Sequence, residues 1–259
     1  MAGLPARRIL ALVLLVVMAL GTGCATLSLV ETIEQLLAQI VALLNGKKWD
    51  EALTKIAEVI RRDPLQWKAY LYGAQAYIGK ADWGQALANA HKAFQMAPRE
   101  GEVLTTLGES LWGAGTEALQ RRAFGDAIGH FVEYVKLRPT DYRGYLNAGR
   151  AYLGAGSWGD ALRMLTDGLG RTTDSATRTQ FGQALLDGGR QALSRSDYRG
   201  AMGLLREGVR LEPTNVSALL DLGKAYWNGG ERTEALGAFR RVLELAPQNE
   251  EARNFLLGR

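Results

Sequence analysis

Hydrophobic residues are arranged in two ways along this chain. Ile9–Leu20, ILALVLLVVMAL, is an unbroken apolar run of twelve residues. From about Leu29 onward, apolar residues recur at helical spacing in short segments separated by Gly, Asn or Pro. That pattern predicts amphipathic helices joined by tight turns. Within it, AYIGKADWGQAL (Ala76–Leu87) returns as AYLGAGSWGDAL (Ala151–Leu162). Ala-Tyr, Gly, Trp-Gly and Ala-Leu stay in register while the residues between them drift. Copies of a structural unit behave this way; two active sites do not. Six prolines and 31 glycines, set among abundant Ala, Leu and Arg, favour an all-α chain over a sheet.

The doubled phrase belongs to a longer repeat. Trp67–Glu100 has Tyr70 and Tyr77 at its fourth and eleventh places. Ala74, Ala86 and Ala93 stand at the eighth, twentieth and twenty-seventh, and Pro98 at the thirty-second. In length and pattern this block resembles the tetratricopeptide repeat, a 34-residue helical hairpin. A last copy matches with Leu219, Leu222, Gly223, Tyr226, Ala235, Phe239 and Pro247. Another carries Tyr145, Gly149, Tyr152, Ala161, Leu165 and Gly168, with Thr173 in place of the final proline. The first copy keeps Ala52, Ile56 and Pro64 but has Ile40 where Gly or Ala is usual.

The resemblance implies an all-α, right-handed α-solenoid of about six hairpins, at about 33–66, 67–100, 101–141, 142–174, 175–215 and 216–249. A capping helix over 249–257, started at Asn249, would cover the last hairpin. Copies three and five are longer: Leu107–Ala127 aligns with Phe181–Ala201, each with about seven extra residues between Gly108 or Gly182 and the second helix. Seven residues are almost two helical turns, so the first helices are expected to lengthen and protrude. Trp49, Trp83, Phe124, Trp158 and Tyr198 sit where second helices begin, and packing of the turn is their expected role.

The opening residues read as an export leader: basic Arg7 and Arg8, the apolar run, then GTGC. Twelve apolar residues span only about 18 Å as a helix, short of a bilayer core. Cys24, the single cysteine, is preceded by Thr22 and Gly23, and the exit resembles a bacterial lipoprotein signal, although Gly21 stands where that family has Leu. The resemblance implies removal of 1–23, acylation of Cys24 and a short tether at 24–28 before a solenoid over 29–259. Ala25 is compatible with outer-membrane sorting, facing the periplasm. The alternative is ordinary cleavage near Gly21 or Ala25, which leaves Cys24 removed or free.

Charge and chemistry narrow the function by what they lack. Lys plus Arg is 31 and Asp plus Glu 27; without Arg7 and Arg8 the excess is two, with no basic run, which disfavours nucleic acid. His91 and His130 have no cysteine or helical His partner, so no metal is expected. No phosphate loop, nucleophile elbow or zinc-protease motif is present, and neither catalysis nor a cofactor is expected.

Binding in the groove lined by first helices is what the resemblance leaves. Carried over place by place, that groove holds Lys68, Tyr72 and Gln75, then Glu109 and Trp112. Arg143, Asn147 and Arg150 follow, and Asp221, Lys224 and Trp227 close the row. The fifth copy offers mostly small or neutral residues, including Gln180 and Gln183. The chaperone-binding subclass grips a carboxylate with Lys, Asn and Arg at set places. Only Asn147 matches; Thr105, Glu109, Ala176 and Gln180 do not. Trp112 and Trp227 with Arg143, Arg150 and Lys224 suit an extended, partly acidic segment; packing of both tryptophans against neighbouring helices remains the other reading.

Together these residues predict a membrane-tethered adaptor for protein partners in the bacterial envelope. The rivals are a self-associating structural protein and a non-catalytic accessory subunit of an envelope enzyme or of a polysaccharide or pilus export machine.

Overall fold

Helix starts and stops follow from local chemistry. Thr32 accepts from the Gln35 amide at 3.2 Å while the Gln35 side chain accepts from the Thr32 amide at 2.8 Å, a reciprocal cap that opens the first helix. Asp82, Asp174, Asp197, Asn215 and Asn249 cap later helices in the same way with one side-chain oxygen. A computed structural model describes residues 31–258. The leader at 1–23, Cys24 and the tether at 24–28 lie outside the described residues.

The described residues form thirteen helices and no strand, in two compact units. Unit 1, which ends at Pro98, holds α1 (Ile33–Asn45), α2 (Trp49–Arg62), α3 (Trp67–Gly79) and α4 (Trp83–Met96). Unit 2, from Arg99, holds α5 (Gly101–Gln120), α6 (Phe124–Leu137), α7 (Tyr142–Ala155), α8 (Trp158–Leu169) and α9 (Ser175–Ser194). It continues with α10 (Tyr198–Leu211), α11 (Val216–Gly229), α12 (Arg232–Leu245) and α13 (Glu250–Leu256). Within each unit consecutive helices pack on one another as antiparallel hairpins, the arrangement of an α-solenoid. Within each unit a helix touches its neighbours in sequence and, at most, the helix one further on.

Every hairpin turns in the same way. Lys47, Ala81, Arg122, Gly156, Ser196 and Gly230 all have positive φ, between 56° and 90°. At each, two backbone hydrogen bonds close the end of the preceding helix, as when Ser157 N–H reaches Tyr152 O at 2.9 Å and Gly156 N–H reaches Leu153 O at 3.0 Å. Only two of the six positions are glycine, so four carry the steric cost of a Cβ in the left-handed region. Ala81→Gly is therefore expected to raise stability by about 0.5–1 kcal/mol in urea denaturation, the relieved strain outweighing the added freedom of the unfolded chain.

The aromatic residues that open second helices pack the turns. A Cβ on Gly79 would lie 2.6 Å from the Trp49 ring, and one on Gly154 2.2 Å from Phe124. Trp158 covers Gly200 in the same manner.

Close approach of the two helices of a hairpin falls on glycine in unit 2. A Cβ on Gly149 would meet Leu165 at 2.5 Å, and one on Gly223 would meet Phe239 at 2.5 Å. In the long hairpins that place belongs to Gly115, against Phe131 at 2.8 Å, and Gly189, against Leu205 at 2.5 Å. This corrects the expected register. The seven extra residues do not lie between the crossing glycine and the second helix; they precede the crossing, at the N-terminal ends of the 20-residue helices α5 and α9. Nor do these ends simply protrude: Val103, Thr106 and Leu107 are buried in α5, Thr177 and Phe181 in α9. The Phe181 ring is 6.5 Å from Tyr142 and fills the space over Gly168.

Candidate binding surface

The first helix of each hairpin presents one face that is neither core nor fully solvated. In unit 1, α3 carries Lys68, exposed with its ammonium 5.6 Å from the Trp67 ring, and half-buried Tyr72 and Gln75. Tyr72 packs on the cluster around Leu36 and Ile40.

In unit 2 the face is built from α5, α7, α9 and α11. Trp112 of α5 is half-buried, edge-on to Phe131 at 5.7 Å and 5.4 Å from Tyr134. Glu109, one turn earlier, is exposed. Arg143 of α7 lies 5.5 Å over the Trp112 ring and is fixed there by Asp141, with Nε and Nη2 donating to its carboxylate at 2.9 and 2.6 Å. Asn147 accepts from Arg150 Nη1 at 3.3 Å. On α11, Asp221 accepts from Arg190 at 2.9 Å, and Lys224 reaches Glu251 of α13 at 2.7 Å. Trp227 is 5.3 Å from Phe255 and 6.4 Å from Phe239, with the Arg232 guanidinium 3.7 Å from its ring.

Both tryptophans are thus held by aromatic neighbours, and each has an arginine over its ring. Arg150 stands apart from the other cations of this face. No carboxylate pairs with it among the described residues, and desolvation lowers the pKa of its guanidinium.

The corrected register brings in residues that the sequence reading passed over. With Gly189 at the crossing, α9 turns Gln183, Asp187 and Arg190 to this face, and Gln183 and Arg190 both donate to Asp187, at 2.9 and 3.0 Å. Gln180 and Gln183 border the same cavity as Arg150. The twelve-residue spacing from Gly189 to Ala201, shared with Gly149 to Ala161 and Gly223 to Ala235, is the signal that identifies them. The carboxylate clamp stays incomplete in this register as well, with Trp112 and Thr116 before Asn147 and Gln183 and Asp187 after it.

Asp141 anchors the Trp112 end of the face. Its carboxylate accepts from Arg143 and, at 2.7 Å, from the Tyr134 hydroxyl, and these bonds, opposed by burial, hold its pKa down at about 2. Burial first, and the bond to Asp141 second, push the Tyr134 hydroxyl up. A depressed carboxylate pKa stabilises the fold fully above the unfolded value near 3.8 and loses that effect as pH falls towards 2. Asp141→Asn is expected to cost about 1–2 kcal/mol at pH 7, the range allowing for solvent around exposed Arg143, and little near pH 2, in urea denaturation at both pH values.

No helix of the described residues is long and apolar enough to cross a membrane. Family models of the tetratricopeptide repeat match residues 113–176 and 192–256. No curated protein gives a significant match. Among solved structures, the chain is similar to one of Naa15/Naa10 bound to HypK-THB, at 16% identity and a TM-score of 0.54 over 88% of this chain and 33% of that one. It thus spans about a third of that larger chain. MamA protein aligns at 20% identity and a TM-score of 0.40, over 71% of this chain and 94% of its own. YrrB, described as a TPR protein with an unusual peptide-binding site, aligns at 17% identity and a TM-score of 0.41, over 77% of this chain and 96% of its own. Of these three, only the first exceeds 0.5, and at its identity it speaks to the fold alone.

Proposed function

We propose that this chain, a tetratricopeptide-repeat protein through residues 113–176 and 192–256, is a lipid-tethered adaptor of the bacterial envelope. It binds an extended segment of a partner protein along the first helices of unit 2. The observation that carries the reading is the face itself: Arg143, Asn147, Arg150, Asp187, Arg190, Asp221 and Lys224 recur on successive first helices, with the half-buried rings of Trp112 on α5 and Trp227 on α11. Repeated polar groups on a rigid helical scaffold suit an extended chain, whose backbone and side chains offer partners at regular intervals.

The leader supports the tether. Removal of residues 1–23 would leave Cys24 as the acylated N-terminus, and more than one acyl chain makes membrane attachment stable. With Ala25 next to it, the sorting is to the outer membrane, periplasmic side. Five residues, 24–28, reach at most about 18 Å, which holds the folded body close to the bilayer.

The test compares the full-length chain with Cys24→Ser after crosslinking in intact bacteria, with captured proteins identified by mass spectrometry. A defined envelope protein captured by the tethered form alone supports the adaptor. Self-crosslinks alone, with both forms fractionating alike, would sink both the lipid anchor and the adaptor, and leave a self-associating structural protein.

A further inference from the structure

A cavity of about 440 Å³ opens in unit 2 against α7 and α9, beside the start of α6. Its floor is apolar, made by Phe124, Leu153, Gly154 and Ala184, while its rim carries three arginines: Arg122, Arg150 and Arg195. None of the three is paired with a carboxylate among the described residues. The Arg122 guanidinium lies 5.8 Å from the Phe124 ring, that of Arg195 lies 5.4 Å from the Trp158 ring, and Arg150 has only the neutral Asn147 oxygen.

The single carboxylate in the lining, Asp187, is occupied by Gln183 and Arg190. Three solvent-accessible guanidiniums therefore line a cavity whose one carboxylate is already engaged. A guanidinium meets a carboxylate through two parallel N–H bonds. Gln180, Gln183 and Gln191 supply side-chain amides along the α9 wall, which match the alternating donors and acceptors of a peptide backbone. The combination of apolar floor, amide wall and cationic rim fits a peptide better than a small free anion, which needs neither floor nor wall.

Resting on the adaptor reading above, we propose that this cavity takes a carboxylate of an extended protein segment, gripped by Arg122, Arg150 and Arg195. The carboxylate has two possible sources, an acidic side chain or the segment's own C-terminus, and the probe is chosen to separate them. The full-length protein, solubilised in non-ionic detergent, is titrated against fluorescein-labelled peptides and read by anisotropy. The peptides are AELEAE with an amidated C-terminus, its AQLQAQ counterpart, and AQLQAQ with a free C-terminal acid.

Saturable binding of the acidic peptide, with the amidated glutamine version at least tenfold weaker, is the expected result and assigns the site to an acidic side chain; binding of the free-acid glutamine peptide alone assigns it to a C-terminus. Arg150→Gln and Arg195→Gln are each expected to weaken binding by at least tenfold with unchanged circular dichroism and melting. Arg199→Gln, on α10 outside this cavity, leaves it intact. Equal affinity for all three peptides, no binding at millimolar peptide, or full affinity in folded Arg150→Gln and Arg195→Gln overturns the proposal. Complete displacement by millimolar inorganic phosphate overturns it too, since the site would then be one for a free anion. A partner captured in cells, with neither carboxylate-bearing peptide bound here, leaves the adaptor reading standing and removes only this inference.

Discussion

Phe239→Ala is expected to destabilise the C-terminal part of unit 2 by about 3–5 kcal/mol, the range for emptying a buried phenylalanine site. Phe239 is fully buried, stacked on Phe255 at 4.4 Å with the rings 9° from parallel, and 6.4 Å from Trp227. It is also the side chain that lies over Gly223 where α11 and α12 cross. Its removal therefore detaches three elements at once, because α13 is held largely through Phe255 and α13 has only seven residues of its own. Stability in stacked hairpins is a sum of units and interfaces, so the loss should stay local. Hydrogen exchange measured by mass spectrometry should show α11–α13 losing protection while α5–α8 keep theirs. Uniform loss across unit 2 would mean that the hairpins unfold as one block.

The second large effect separates two glycines that look alike. Gly115→Ala is expected to cost about 1–3 kcal/mol, because a Cβ there would sit 2.8–3.0 Å from three atoms of the fully buried Phe131 ring. Gly108→Ala should instead be neutral or stabilising by up to about 1 kcal/mol, the gain in helix propensity. Its new Cβ would approach the Arg138 guanidinium, the far end of a flexible side chain. Thermal denaturation of the two variants decides the register of α5. If Gly108→Ala were the more damaging, the helix crossing would lie at Gly108.

This register is also where legibility in the sequence ended. Repeated Ala-Tyr, Trp-Gly and Ala-Leu pairs announce hairpins, since small residues at fixed places only make sense where helices touch. Gly108 and Gly115 of α5 lie seven residues apart, nearly two turns, so they occupy the same face and no apolar pattern distinguishes them. Only the partner in the facing helix does: Phe131 meets Gly115, and Leu205 meets Gly189. For the same reason Glu109 and Trp112 keep their places on the binding face in either register, whereas Asp187 and Arg190 emerge only in the correct one. Pairing was hidden as well. Place in a repeat says that Lys224 and Arg143 point away from the core. It does not say that Glu251 and Asp141 wait for them, because those partners come from the capping helix and from a turn.

The neighbour-by-neighbour packing of the helices has a consequence in time. Residues that touch are separated by a few tens of positions at most, so no strand of chain has to search for a distant mate before contacts begin to form. Topologies with such low contact order fold in microseconds to milliseconds. Under such kinetics the apolar stripes are exposed only briefly after synthesis, and the interval in which nascent hairpins can aggregate is correspondingly short.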